Sequence, residues 1–333
     1  FSVAVHNISE YDMDSLLVDY WIVDNQRNIH KLNYPRQKPH PAGDILTDTL
    51  VVSSRNFVGN NAMWMEVNPN QDQIEQTHFN NLGQINFYVK KDNKNPVLEV
   101  SFDGIHILDG EVVSAKPFIQ INLKDENPFL TLNDTSLIKV FLKAPGQNDF
   151  DRIFFNKGGF TVMTFHPATV NNNQCKVEFQ PDFGEDGVYT LLVQAADASL
   201  NESGRIDYEI SFEVINKSTI TEVLNWPNPF SDKTHFVFTL TGSQLPDYFK
   251  IQILTISGKV VKEIEMDELG PLRIGRNITT YAWDGTDQYG DRLANGVYLY
   301  RVVSSIDKQQ IEQRETSASK YFHHGFGKMY LIR

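Results

Sequence analysis

Little in this sequence is basic, sulfur-bearing or continuously apolar, and each shortage removes a class of function. Acidic residues outnumber basic ones, 42 against 30, giving a formal net charge of -12 at pH 7, and no run of Lys or Arg breaks that balance. Phosphate backbones and anionic membrane surfaces are held by clustered positive charge, so neither nucleic acid nor an acidic lipid face is expected as a partner. The single cysteine, Cys175, excludes a disulfide within the chain. It leaves the compartment open, because a secreted chain can rely on large cores instead of staples. No stretch reaches the roughly 18 apolar residues of a membrane-crossing helix, and no signal peptide is visible. The run Phe1-Ser-Val-Ala-Val5 opens directly as strand, which leads us to expect a piece of a longer chain.

Helical periodicity is scarce too. Hydrophobic residues make up 41% and aromatics 12% of the 333 residues, enough to fill packed cores. Short alternating runs rich in Val, Ile, Phe, Thr and Tyr recur between turn signals, the mark of antiparallel strands with one buried face. They fall at 16–23, 62–67, 84–89, 98–102, 118–123, 138–142, 176–179, 188–195, 208–214, 235–240, 250–255, 279–283 and 297–303. The expected fold class is all-β, with three tandem immunoglobulin-like β-sandwich modules. The polar run Lys90-Lys-Asp-Asn-Lys-Asn-Pro96 and the seam Asn216-Lys-Ser218 divide the chain into 1–93, 94–216 and 217–333. Seams this short predict a semi-rigid rod.

The last module carries the most specific series: Trp226-Pro-Asn-Pro-Phe230, the strand at 235–240, Lys250-Ile-Gln-Ile-Leu-Thr-Ile-Ser-Gly-Lys-Val-Val261, Tyr281-Ala-Trp-Asp-Gly-Thr-Asp287 and Gly290-Asp-Arg-Leu-Ala-Asn-Gly-Val-Tyr-Leu-Tyr-Arg301. Pro227 and Pro229 fix φ ahead of the first strand. Ser257-Gly258 suits a hairpin turn, Trp283 anchors a core, Asp284 and Gly285 follow it into a loop, and Asn295-Gly296 turns into the final strand. As a set these pieces resemble the FlgD-like immunoglobulin domain over about 225–303. They are also similar to the C-terminal domains of Bacteroidota proteins exported by the type IX secretion system. Gly327-Lys-Met-Tyr-Leu-Ile-Arg333, an apolar strand with basic flanks, has the look of such a terminus, although 304–326 is longer than the common signal. A cleaved export signal and a retained structural module both stay open.

In the first module, Trp64-Met-Glu-Val-Asn-Pro69, Gln73-Ile-Glu-Gln76 and Phe79-Asn-Asn81 resemble the CARDB type of adhesion sandwich. Amides and carboxylates at such corners are expected to cap loop backbone. The middle module offers Phe102-Asp-Gly-Ile-His106, Asp109-Gly-Glu-Val-Val-Ser-Ala-Lys-Pro117, Lys124-Asp-Glu-Asn127, Asp186-Gly-Val-Tyr189 and Ser199-Leu-Asn-Glu-Ser-Gly204. With its flanking modules it is similar to the region after the catalytic domain in gingipain-family cysteine peptidases, nearest to PorU-like sortases. The resemblance implies an exported, extracellular or cell-surface chain, outer-membrane-associated, that spaces, docks and exports a peptidase lying upstream. Its implied partners are outer-membrane or secretion-machinery proteins and its own upstream domains. A rival reading is an adhesion or glycan-binding array without a peptidase, which an aromatic platform on one exposed face would favour.

No residue set supports a complete catalytic site. Cys175, with His166 nine residues upstream, enters an alternating strand where a small apolar residue suits the core, whereas a nucleophilic thiolate needs an accessible, electropositive pocket. No cofactor is called for apart from calcium. Asp284, Asp287 and Asp291 share one loop and Asp197, Asn201 and Glu202 another, and hard cations want several oxygens on a tight turn. Turn capping accounts for these acids equally well. The adjacent His323 and His324 read as a solvated pair, since neighbours on a strand point to opposite faces. Glu263, Glu265, Asp267 and Glu268 read as a charged hairpin edge that discourages strand addition. Asp14-Ser15-Leu16 and Asp48-Thr49-Leu50 match the Asp-Ser/Thr-apolar pattern of Bacteroidota O-glycosylation, making Ser15 and Thr49 candidate acceptors.

Overall fold

The chain alternates as its sequence does. Val18–Val23 buries every other side chain, and so do Ile119–Lys124, Gln174–Phe179 and His235–Leu240. This period of two puts one face of each strand into a core. The computed structural model describes residues 1–33, 39–169, 171–221, 223–314 and 325–333. Among these, helix is confined to the α-turn Met266–Leu269 and the 3-10 turn Thr135–Leu137, and everything else of regular structure is strand. The protein is an all-β chain of immunoglobulin-like sandwiches.

Two compact units are present, Phe1–Asn93 and Lys94–Arg333. In the first, an antiparallel sheet runs in the order Ile29–Leu32, Val18–Val23, Gly59–Val67, Leu82–Val89. A smaller ladder pairs Ser2–His6 with Ile45–Thr49. Leu16, Val18, Tyr20, Ile22, Leu50 and Met63 form the core, with Val3, Val5 and Leu46 of the ladder packed against it. Burying each such side chain contributes about 1.5–3 kcal/mol, which is why the strands hold this register.

The second unit contains two sandwiches. In one, Asp151–Ile153, Ile138–Lys143, Gly187–Ala195, Tyr208–Val214 and Glu111–Val113 face Met163–His166, Gln174–Phe179, Ile119–Lys124 and Val97–Phe102 across a core that includes Phe102, Ile121, Leu191 and Phe212. In the other, a sheet built on His235–Leu240 faces one built on Tyr248–Thr255 and Gly296–Ile306, around Phe236, Phe249, Ile251 and Trp283. The two sandwiches are tied at their joint. Ala115 donates its amide to Gly242 O at 3.3 Å, and Gly242 donates to Ile215 O at 2.9 Å. Gly275 lies so close to the Val112 carbonyl that a Cβ there would collide with it. Arg314 pairs with Glu213 at 3.4 Å.

One expected strand is displaced. Residues 279–283 do not form one; the strand is Gly275–Ile278. Thr279 ends it by turning its hydroxyl to the amide of Phe236 (3.0 Å) and to Tyr281 O (2.8 Å). The side chain thereby takes over bonds that a continuing ladder would have used.

Candidate functional site

Several motif residues of the last sandwich converge on one stretch, the strand Gly327–Leu331 and the Arg333 that follows it. On one side it pairs antiparallel with Gly296–Ile306, Gly296 standing opposite Leu331. On the other side it meets the turn 226–230, whose peptides Trp226-Pro227 and Asn228-Pro229 are both cis. There Phe230 donates to Tyr330 O and Ile332 donates to Phe230 O, both at 2.9 Å. Asn228 extends that contact with its side chain: Nδ2 donates to Lys328 O and Oδ1 accepts from Tyr330 N, each at 3.0 Å. Asn295 does the same for Arg333, again with both bonds at 3.0 Å.

Trp283 is the anchor beneath. It is fully buried, donates Nε1 to Thr286 O at 2.8 Å, and packs on Phe230 and Tyr298. A large ring whose one polar atom is satisfied suits this position. Asp284 O accepts from the Arg333 guanidinium, and a Cβ on Gly285 would sit 2.8 Å from that group and 2.9 Å from Leu331. Gly285 is therefore favoured by its φ of 76°, and a Cβ there would also have to displace the ends of the Arg333 and Leu331 side chains. Pro227 contributes its carbonyl, which accepts the Thr234 hydroxyl at 2.8 Å. Gly258 stands apart, in the hairpin turn after Tyr248–Thr255, with φ 90°. Trp226 is 68% exposed, on the outer face of its strand.

The acidic loops serve as turns. Asp284 Oδ1 accepts from the amide and hydroxyl of Thr286. Burial opposes ionisation of Asp284, but the Thr286 bonds and the Arg333 charge outweigh it and hold the carboxyl below its usual range. Asp287 Oδ1 accepts from Tyr289 N and Asp291 N, both at 2.9 Å. Among the described residues, Asp284, Asp287 and Asp291 form no group of three carboxylates converging within 4.8 Å. Asp197 is fully buried and accepts from Ser199 N, Asn201 N and Asn201 Nδ2, while Glu202 forms a bridge with Ala196. Asp125 is also buried, and its carboxylate comes within 4.8 Å of that of Asp197, a pairing across 72 residues that no local spacing announces.

Cys175 lies inside the core, 1% exposed, and burial pushes its thiol up to about 11. His166 is on the opposite face of the same sheet, opposite Lys176, where it pairs with Glu178 at 3.2 Å. The two cannot form a dyad. In the first unit, the Glu75 carboxylate receives Asn68 Nδ2 and Asn81 Nδ2, each at 2.8 Å, and His78 Nδ1 at 3.1 Å. Thr49 is exposed, whereas Ser15 is half-buried and its carbonyl accepts from Gln73 Nε2. Val260–Glu265 is an edge strand, but Asp267 and Glu268 belong to the helical turn after it, where Glu265 and Glu268 form a capping box. His323 and His324 lie outside the described residues. Trp21, to which no motif drew attention, stacks on Trp64 across two strands. Only the pairing register brings them together.

The molecule thus defines itself as a tandem sandwich protein whose motif residues secure a terminal strand. No family model matches it, and no curated protein matches it. Among solved structures it is similar to dimeric latent PorU from Porphyromonas gingivalis, at 15% identity and a TM-score of 0.28, over 95% of this chain and 29% of that one. It is also similar to a tetra-tandem repeat from the extending region of a large adhesion protein (14% identity, TM-score 0.25, 99% of this chain and 70% of that one). A third is the Escherichia coli adhesin FdeC (9% identity, TM-score 0.22, 100% and 85%). The chain spans less than a third of that PorU chain. Likenesses this weak specify neither a family nor an activity. No described helix is long and apolar enough to cross a membrane.

Proposed function

We propose that this chain is the non-catalytic structural, docking and export tail of a secreted or cell-surface protein of the type IX pathway. It would be attached to a gingipain-type cysteine peptidase or PorU-like sortase domain upstream. One observation carries the reading: Asn228, Phe230, Asp284 and Asn295, drawn from three separate motifs, all bind the strand Gly327–Leu331 or the two residues after it, and Gly285 leaves room for it. A strand held from both edges is a fixed member of its sheet, and it gives export machinery or an outer-membrane partner a fixed shape to read. The burial of Cys175 supports the non-catalytic part. On this reading the sandwiches of Lys94–Arg333, tied at their joint, act as a stiff spacer.

The test is a reporter fused ahead of the chain and expressed in a Bacteroidota host with and without a working type IX system. Reporter on the cell surface only when the system works is expected, with loss of export on deleting residues 327–333. Reporter retained inside in both hosts overturns the proposal.

A further inference from the structure

The outward face of the four-stranded sheet in the first unit is laid out in rows by its register. Trp21 stands opposite Trp64, and Trp64 opposite Gln84. One step along, Val23 stands opposite Ala62 and Ala62 opposite Asn86; one step further, Asn60 faces Tyr88. A bulky aromatic row and a second wall bearing Tyr88 therefore flank a floor of two small side chains. The result is a trough of two adjoining hollows, about 440 and 520 Å³, that share Val23 and Ala62. Both are shallow and open to solvent, a surface on which a ring could lie and not an enclosed cavity. Tyr88 is 67% exposed and so free to meet a ligand laid on this face.

The chemistry of the lining selects the occupant. The Trp21 and Trp64 rings are parallel to within 3°, with centroids 6.2 Å apart. Parallel rings present one orientation of π-face, suited to a flat ring with C–H groups on its face. A cage for a quaternary ammonium group wants rings set at angles around the charge. The polar groups beside the rings are the amides of Gln84, Asn86 and Asn60, which both donate and accept, as hydroxyls do. Among the described residues, Asp24 is the one charged side chain lining the hollows, and it is already bound to His30 at 2.8 Å and to Asn28. A chain of net charge -12 also repels polyanions.

We infer that this trough binds a neutral glycan, a sugar ring lying against the Trp21/Trp64 pair and its hydroxyls bonding to Gln84, Asn86 and Asn60. The site is complete within the first unit and stands whether or not a peptidase precedes the chain.

The test is native affinity electrophoresis of the full 333-residue chain through gels containing neutral polysaccharides (hydroxyethyl cellulose, xylan, mannan, laminarin) or anionic ones (alginate, heparin), with tryptophan fluorescence titration alongside. Retardation by at least one neutral polymer and by neither anionic one is expected. Trp64→Ala should weaken it about tenfold, the loss of one stacked aromatic contact. Tyr88→Ala and Asn86→Ala, at exposed positions where folding is not at stake, should weaken it as well, and Tyr289→Ala, 91% exposed in the other unit, should not. Far-UV circular dichroism and the thermal midpoint separate lost binding from lost fold in Trp64→Ala. The inference is overturned if no neutral polymer retards the chain, if only anionic ones do, or if Tyr88→Ala and Asn86→Ala bind as the parent does. None of those results bears on the export reading.

Discussion

Asn295 is bound to the main chain of Arg333 in both directions, its amide donating to the carbonyl and its carbonyl accepting from the amide, each at 3.0 Å. A side chain thus does what a neighbouring strand would do. Asn228 repeats the device 67 residues earlier on Lys328 and Tyr330. Strand pairing, a turn and two side-chain clamps agree on one position for the C-terminal strand, and the predictions follow from that agreement.

Asn228→Ala and Asn295→Ala each remove two hydrogen bonds at the exposed edge of the last sandwich. Each should lower stability by about 1 kcal/mol, because solvent compensates part of the loss. Urea unfolding of the single and double variants measures it. The double variant should lose about the sum, since the clamps grip different residues.

Gly285→Ala and Gly290→Ala separate strain from collision. Both glycines have positive φ, 76° and 91°. A Cβ on Gly285 meets Leu331 and Arg333 within 3 Å, whereas one on Gly290 meets nothing within 4 Å. Gly290→Ala should cost about 1 kcal/mol and Gly285→Ala distinctly more. Thermal unfolding of the pair gives the order.

Cys175 yields a pH signature. Its thiol is raised from 9.0 to about 11 in the folded chain. Between those values the folded state holds a proton that the unfolded state has released, so this group's contribution is intact below pH 9 and is lost as pH rises towards 11. Stability should fall over that window, and less steeply in Cys175→Ala. Thiol reagents at pH 8 should label Cys175 only when denaturant opens the core.

Much of this fold was legible because burial imposes a period of two. His235–Leu240 and Ile119–Lys124 alternate so regularly that the sequence alone locates them. Pairing between distant segments was not legible, because nothing local encodes it. Thr219–Ile220 lies parallel to Glu312–Gln313, and Trp21 finds Trp64, only once the sheets have formed. The motif glycines and asparagines were visible as turn residues, but their common target was not: residues 327–333 show an apolar strand and say nothing of which side chains grip it. Thr279 illustrates the opposite failure, a β-branched residue at the head of an expected strand that ends the real one.

Glu75→Ala should unsettle the first unit. Its carboxylate gathers three donors, and buried Asn68 would lose one partner. A cost of about 1–3 kcal/mol is expected, the usual result of leaving a buried donor unsatisfied. Proteolysis confined to Phe1–Asn93, with Lys94–Arg333 still resistant, would show it.

Hydrogen exchange at the Tyr330 amide tests the clamp most directly, since that proton is bonded to Asn228 Oδ1. It should be protected in the parent chain and should exchange freely in Asn228→Ala, while the core amide of Ile251 stays slow in both. A Tyr330 amide that exchanges in the parent as fast as an unstructured one would contradict the account, because the terminal strand would then not be held.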